Sequence, residues 1–281
     1  MHLVLPRSGP ARLGTARARV APDPEVRVEQ GKVVGVRTGD ERPTVAVLLP
    51  GSGSDELFVA AVFERPLAAM GIRLLAPPPR VGADLVHGMR LALDEHAGPG
   101  VLVGGVSLGA HVAARWVVRN QGRCAGLLVA LPAWVGEPGP APAALAAAAS
   151  AAGVRRDGIE GTLRQVRSGA PAWVADELDR AWRRHGAALA DSLHAASSTA
   201  APTLEELRGL VAPVGIAALA DDPLHPRSVA ESWAGALPAA ALVTTSMAAV
   251  GHDRDALGRA ALLGWLRARE IGSAEPLPFR R

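Results

Sequence analysis

A serine between two glycines is the residue in this chain best suited to nucleophilic chemistry. Gly105, Ser107 and Gly109 lie in the pentapeptide GVSLG, which follows the apolar run Val101–Val103 and precedes an Ala-rich segment. This order predicts a strand that turns abruptly into a helix, with the serine at a strained corner and glycines that tolerate close backbone approach. The first N–H groups of such a helix would stabilise an oxygen that becomes negatively charged. We expect Ser107 to be a nucleophile; the alternative is a Gly-rich turn with a capping hydroxyl.

Two later loops contain the residues that a serine nucleophile needs. A serine hydroxyl stays protonated at neutral pH, so it requires a base within hydrogen-bond reach and an acid that orients the base. Asp222 follows the apolar run Val214–Leu219, and His252 follows the run Ala241–Thr245 and the loop after it. The order serine, acid, histidine along successive predicted strands indicates a triad of Ser107, Asp222 and His252.

Strands and helices alternate on both sides of Ser107. The apolar and turn patterns predict strands over 44–49, 72–76, 101–103, 125–131, 214–219 and 241–245, and helices over 55–70, 82–96, 110–119, 228–237 and 255–269. This alternation is typical of a mostly parallel central sheet flanked by helices, an α/β fold. Ligands of such sheets collect at the carboxyl ends of the strands, where the loops at Gly51 and Ser107 both lie.

The chain divides into a core and an insertion. Residues 1–24 are expected to form a loose lead-in, and residues 25–135 and 203–281 the core, beginning with an antiparallel hairpin between Val26 and Val36. Residues 136–202 show no convincing strand, and helices are expected at Ala143–Ala152, Ile159–Ser168 and Ala172–Ala190. We interpret 136–202 as a helical cap or lid over the sheet edge; a helical excursion without substrate contact is the alternative.

These motifs resemble the α/β-hydrolase superfamily, and in particular its small actinobacterial members. The resemblance covers roughly residues 44–270 and is carried by the stretches PGSGSDELF, GGVSLGAHVAA, Asp222 with Pro223, and Gly251 with His252. It implies an α/β-hydrolase fold in which Ser107 attacks a carbonyl carbon, His252 takes its proton and later activates water, and Asp222 orients the imidazole.

The resemblance also implies an oxyanion site made of backbone N–H groups from Leu108 and Ser52. Many relatives carry His-Gly ahead of this loop, whereas Pro50 precedes Gly51 here, so Ser52 and Gly53 both stay candidates for the second donor. Asp221 competes with Asp222 for the acid position, and the neighbouring Pro223 favours Asp222.

The histidines have further interpretations. His252 could instead have a structural role, since a helix begins just after it. His225, close to the acid in sequence, is interpreted as a solvated loop histidine rather than a second base. His111 is expected to pack beside the serine turn, one helical turn beyond Ser107.

Composition narrows the classes of partner. The formal net charge is only +3 and the basic residues are dispersed, so we expect no nucleic-acid partner. The single cysteine, Cys124, suits a reducing compartment, and no signal-peptide core or membrane span is evident, which favours a cytoplasmic protein. No metal-binding or phosphate-loop motif occurs, so no cofactor and no metal are expected. The oligomeric state stays open.

The predicted activity is hydrolysis of a carboxylic ester or thioester through an acyl-enzyme. The insertion and the side chains of Trp134, Trp173 and Trp182 are expected to shape an apolar pocket for a small-molecule acyl substrate. Two alternatives remain: an acyltransferase that uses the same triad, and a binding module with this fold that performs no catalysis.

Overall fold

The computed structural model describes residues 42–273, and a six-stranded sheet forms their centre. Every strand pair in this part of the chain is parallel, and the spatial order is β2-β1-β3-β4-β5-β6. The strands are β1 Val45–Leu49, β2 Arg73–Leu75, β3 Val101–Val106, β4 Gly126–Ala130, β5 Val214–Leu219 and β6 Ala240–Thr245. The predicted parallel sheet is therefore confirmed. The lead-in 1–24 and the hairpin at 26–36 lie outside the described residues.

Helices cover both faces of this sheet. They are α1 Glu56–Ala68, α2 Leu85–His96, α3 Leu108–Arg119, α4 Pro142–Gly169, α5 Ala172–His185, α6 Leu189–Ser197, α7 Leu204–Arg208, α8 Arg227–Ala236, α9 Met247–His252 and α10 Asp255–Ser273. Alternate side chains of a strand point to opposite faces. Accordingly Val47 packs in one core with α2, α3 and α8, whereas Leu48 packs in a second core with α1 and α10.

Glycine lets α10 lie unusually close to the sheet. A Cβ atom on Gly215 of β5 would collide with the backbone of Ala261 and Trp265 in α10, and one on Gly264 would collide with the carbonyl of Ala241 in β6. Backbone atoms cannot move aside as a side chain can, so these positions require glycine. This close packing anchors α10 to β5 and β6.

Residues between β4 and β5 form a helical insertion, defined here as α4, α5 and α6. Its own core consists of Ala151, Leu163, Trp182, Leu189 and Leu193. The two helices expected before residue 169 run on as α4, broken by the non-helical backbone of Gly158. The single helix expected over 172–190 instead ends at His185, where Gly186 has a φ of 56°, and a short 3-10 turn at Gly186–Ala188 leads into α6.

The segment after β6 differs most from the sequence-based expectation. It was expected to be a loop from Ser246 to Gly251 but forms α9. Ser246 is the N-cap of α9, and its hydroxyl accepts a hydrogen bond of 3.1 Å from the Ala249 N–H. Asp221 reinforces the same turn, because its carboxylate accepts a 2.7 Å hydrogen bond from the Met247 N–H. These caps make the segment helical and place His252 at the far end of α9.

Candidate active site

Ser107 occupies a strained corner between β3 and α3. Its φ of 51° and ψ of −115° lie in a region that non-glycine residues rarely adopt. The Ser107 N–H donates a 2.9 Å hydrogen bond to the Ala130 carbonyl of β4, and its own carbonyl accepts one from the His111 N–H. These bonds on both sides hold the corner in place. The expected strand-turn-helix setting of Ser107 is therefore confirmed.

The two glycines of the pentapeptide, Gly105 and Gly109, are required because the last residue of β1 lies very close to both of them. A Cβ on Gly105 would collide with the Leu49 carbonyl and with the backbone of Gly109. A Cβ on Gly109 would collide with the carbonyls of Leu49 and Pro50. The pentapeptide thus brings the turn at Ser107 against the loop that begins at Pro50, which is the loop expected to supply an oxyanion donor.

A histidine and an aspartate from one short loop complete a hydrogen-bonded series with Ser107. The His225 Nε2 lies 3.0 Å from the Ser107 Oγ, and the His225 Nδ1 lies 2.8 Å from the Asp222 Oδ2. The other oxygen of Asp222 accepts hydrogen bonds from the backbone N–H groups of Leu224, at 2.8 Å, and of His225, at 3.2 Å. The loop that follows β5 therefore carries both the aspartate and the histidine of this series.

The electrostatics of Asp222 and His225 favour a single tautomer of the histidine ring. The side chains of Asp222 and His225 are only 8% and 16% exposed. Burial on its own raises the pKa of Asp222, but the hydrogen bond and charge of His225 and the two backbone N–H donors hold that pKa below its usual value. An ionised Asp222 fixes the ring proton of His225 on Nδ1 and leaves Nε2 free to accept the proton of Ser107.

The structure does not bring His252, the expected base, to Ser107. His252 is exposed and lines a surface cleft with Glu64 and Arg65 of α1, whereas the cavity at Ser107 is lined by His225. The capped helix α9 is the physical reason, because it carries His252 past the end of β6 and onto the side of α1. Asp221 serves as a turn residue at Met247, and Asp222 holds the histidine.

One local signal pointed to His225. Asp222 and His225 are three residues apart, and an aspartate that accepts bonds from the N–H groups two and three positions later folds the chain into a tight turn. That turn brings the side chain of the third residue back over the carboxylate. His225 is therefore not the solvated loop histidine expected from the sequence, because its ring packs on Asp222 and is mostly buried.

The expected oxyanion donors lie around the same space. Ser52, Gly53 and Leu108 all line the cavity that contains the Ser107 hydroxyl. Leu108 is the first residue of α3, so its N–H has no acceptor within the helix. Ser52 and Gly53 belong to the loop after β1, whose Gly51 carbonyl accepts a hydrogen bond from the Ser54 N–H. Both remain candidates for the second donor.

A cavity of about 250 Å³ separates this group from the helical insertion. Most of its lining is apolar. The three tryptophans expected there, Trp134, Trp173 and Trp182, all contribute, and the other apolar side chains of the insertion that face it are Ala143, Ala146, Ala147, Val174, Leu178, Leu193 and Ala196. Such a lining favours the apolar part of a small molecule, with Ser107 and His225 as the polar groups at one end.

His111 packs behind the serine turn as a neutral ring. It is fully buried, its Nε2 accepts a 2.9 Å hydrogen bond from the Ala133 N–H, and its ring contacts those of Trp134 and Trp233. Burial, together with the charge of the neighbouring His225, lowers the pKa of His111 to about 3. The expected packing of His111 beside the turn is confirmed, with the ring bridging α3 to the residues after β4.

A neutral buried His111 makes the fold sensitive to acid. The unfolded chain binds a proton near pH 6.5 and the folded chain only near pH 3, so stability is full above pH 6.5 and falls as the pH drops below it. We expect the wild type to lose about 2 kcal/mol more unfolding free energy between pH 7 and pH 4.5 than His111→Gln, which keeps an acceptor for Ala133. Urea denaturation at the two pH values measures this; parallel losses in both proteins would contradict it.

Two properties of the described residues bear on cofactors and membranes. Residues 42–273 contain no group of three or more His, Cys, Asp and Glu side chains placed to hold a metal ion. Within that same range, none of the helices combines the length and apolarity needed to cross a membrane.

Comparison with solved structures identifies the fold. An esterase from Thermogutta terrifontis superposes with a TM-score of 0.58 at 18% identity, over 83% of this chain and 92% of the esterase. MenH from S. aureus gives 0.59 at 17% identity, over 82% and 95%, and an enol-lactonase from Burkholderia xenovorans gives 0.53 at 17%, over 74% and 84%. No protein-family model and no curated protein sequence matches the chain. The chain thus has the α/β-hydrolase fold, as its motifs predicted.

Proposed function

We propose that this chain with the α/β-hydrolase fold is a serine hydrolase that cleaves a carboxylic ester or thioester through an acyl-enzyme. The observation that carries the proposal is the continuous hydrogen-bonded series from the Ser107 Oγ through His225 to Asp222. Ser107 lies at a strained corner at the carboxyl end of β3, and this series gives it both a base and an orienting acid.

The proposed reaction begins with proton transfer from Ser107 to His225. As the Ser107 Oγ bonds to the carbonyl carbon, the His225 Nε2 takes the hydroxyl proton, and Asp222 stabilises the resulting imidazolium. The carbonyl oxygen becomes an oxyanion that accepts hydrogen bonds from the Leu108 N–H and from Ser52 or Gly53. His225 then gives its proton to the leaving alcohol or thiol, which departs as the acyl-enzyme forms.

Water completes the proposed cycle. His225 removes a proton from a water molecule that attacks the acyl carbon, a second oxyanion forms in the same place, and the proton returns to the Ser107 Oγ as the carboxylic acid leaves. The balance of atoms is one ester and one water consumed for one acid and one alcohol or thiol. An acyltransferase would follow the same steps with another nucleophile in place of water.

The substrate class follows from the cavity. Its lining of tryptophan, leucine, valine and alanine side chains favours an aliphatic or aromatic acyl group, and a volume of about 250 Å³ suits a small molecule rather than a polymer. In this proposal residues 136–202, which include the helical insertion, are the cap that encloses the acyl group above the sheet edge.

A fluorophosphonate probe tests the proposal directly. The probe phosphonylates only a serine whose hydroxyl is deprotonated on attack, so we expect the folded protein to gain one adduct, located at Ser107 by peptide mass spectrometry. Heat-denatured protein serves as the control and should gain none. Absence of an adduct at Ser107 in folded protein would contradict the hydrolase and favour a binding module.

A further inference from the structure

One helix of the insertion contacts four consecutive residues at the end of the loop after β1 and the start of α1. The helix is α5, and the four residues are Gly53, Ser54, Asp55 and Glu56. The Trp182 indole packs on Gly53 so closely that a Cβ there would lie 2.8 Å from its Nε1. Along the helix, the His185 Nε2 lies 2.9 Å from the Ser54 carbonyl oxygen. This loop is the one that carries both candidates for the second oxyanion donor.

Asp55 is the centre of these contacts. Its carboxylate is 2% exposed and accepts two 2.7 Å hydrogen bonds from the Arg180 guanidinium, one on each oxygen, and a further ion pair from Arg184. The same carboxylate caps α1 by accepting from the N–H groups of Leu57, at 3.0 Å, and Phe58, at 3.3 Å. Arg184 also bonds Glu56 at 2.7 Å.

The charges of the group support a fixed, ionised arrangement. Burial alone raises the pKa of Asp55, but the hydrogen bond and charge of Arg180, followed by the Phe58 N–H and Arg184, hold that pKa below its usual value. Arg180 is in turn anchored within α5 by Glu177, one turn earlier. Two-point guanidinium to carboxylate pairs fix orientation as well as distance.

From these contacts we infer that Arg180, with Arg184, acts through Asp55 to position residues 51–54, the loop that carries the candidate oxyanion donors. Asp55 is the last residue of the loop and the N-cap of α1. The arginine contacts that hold its carboxylate therefore also determine where residues 51–54 lie relative to Ser107. The end of the insertion that contains Trp182 and His185 is thus a fixed support of the loop. Arg180 is a positioning residue, because it acts on the reacting atoms only through Asp55 and the loop.

The inference rests on the proposed function, and it predicts a specific change in the kinetic constants. Displacing one oxyanion donor weakens transition-state stabilisation without removing the nucleophile or the substrate pocket. Loss of the Arg180 guanidinium leaves Asp55 paired with Arg184 and with two backbone N–H groups, so the fold is retained. The effect should therefore appear in kcat, with KM nearly unchanged.

The test compares three substitutions in the same helix. Arg180→Met removes the guanidinium but keeps an unbranched side chain, Arg180→Lys keeps one charge, and Arg183→Met is the matched control, since Arg183 pairs with Glu160 and Asp179 on an exposed surface. With p-nitrophenyl acetate we expect Arg180→Met to lower kcat about 10- to 100-fold, Arg180→Lys to recover part of it, and Arg183→Met to remain within about twofold.

Two readouts separate loop positioning from general damage. A trifluoromethyl ketone adds the Ser107 Oγ to its carbonyl carbon and leaves an oxyanion in the donor site, so its Ki should rise by the same factor as kcat falls. Backbone hydrogen exchange of residues 51–56 should be faster in Arg180→Met than in Arg183→Met. Unchanged exchange, or an unchanged Ki with lowered kcat, would overturn the inference. A wild type without esterase activity would overturn the proposed function, while the exchange data would still decide the inference.

Discussion

Replacing His225 by alanine is expected to lower kcat for p-nitrophenyl acetate by about 10⁴-fold, whereas His252→Ala should leave it within about twofold. Removal of His225 leaves the Ser107 hydroxyl without a proton acceptor and Asp222 without the ring it orients. His252 is exposed beside Glu64 and Arg65 and has no place in that series. The two variants therefore divide the histidines into one that acts in the reaction and one that does not.

Steady-state rates and circular dichroism on both variants make this comparison decisive. The spectra should match that of the wild type, because neither side chain lies in the buried core. A large loss in His252→Ala together with an active His225→Ala would restore the interpretation based on sequence order. Loss in neither variant would mean that the proposed base is absent from the reaction.

The second large effect concerns Ser107 itself. Ser107→Ala removes the nucleophile and is expected to lower kcat for p-nitrophenyl butyrate by at least about 10⁴-fold, to the level that the oxyanion site and binding alone provide. Ser228→Ala, an exposed serine in α8, is the matched control and should keep the wild-type rate. Single-turnover measurement should also show loss of the p-nitrophenolate burst. A Ser107→Ala protein as active as the parent would rule out the acyl-enzyme.

The strands and the serine turn could be predicted because their signals are local. Strands β1 to β6 are short apolar runs between turn residues, and the predicted bounds differ from the observed ones by few residues, as in β5, which matches at both ends. The corner at Ser107 is indicated by Gly105 and Gly109, two residues to either side of it in the chain. In both cases, the signal lies in residues that are close in sequence.

The choice of histidine depends on capping and on contacts between distant elements. Whether Ser246 begins a helix or a loop decides where His252 lies, and the answer depends in part on the Asp221 carboxylate 26 residues away in the chain. The pairing of Arg180 with Asp55, 125 residues apart, likewise has no signature in local sequence. The usual order of residues along strands therefore does not predict where His252 lies in this structure.

The four-residue turn from Asp222 to His225 reduces the number of distances that the tertiary structure must maintain. In a triad drawn from three separate loops, both the serine–histidine distance and the histidine–acid distance depend on tertiary structure. Here the Asp222 to His225 distance is fixed within one turn by the backbone hydrogen bonds to Asp222. Only the 3.0 Å separation between the Ser107 Oγ and the His225 Nε2 depends on how β3 and β5 lie across the sheet. Asp222 and His225 thus form one unit. Relative motion of the strands would displace both residues together without changing the distance between them.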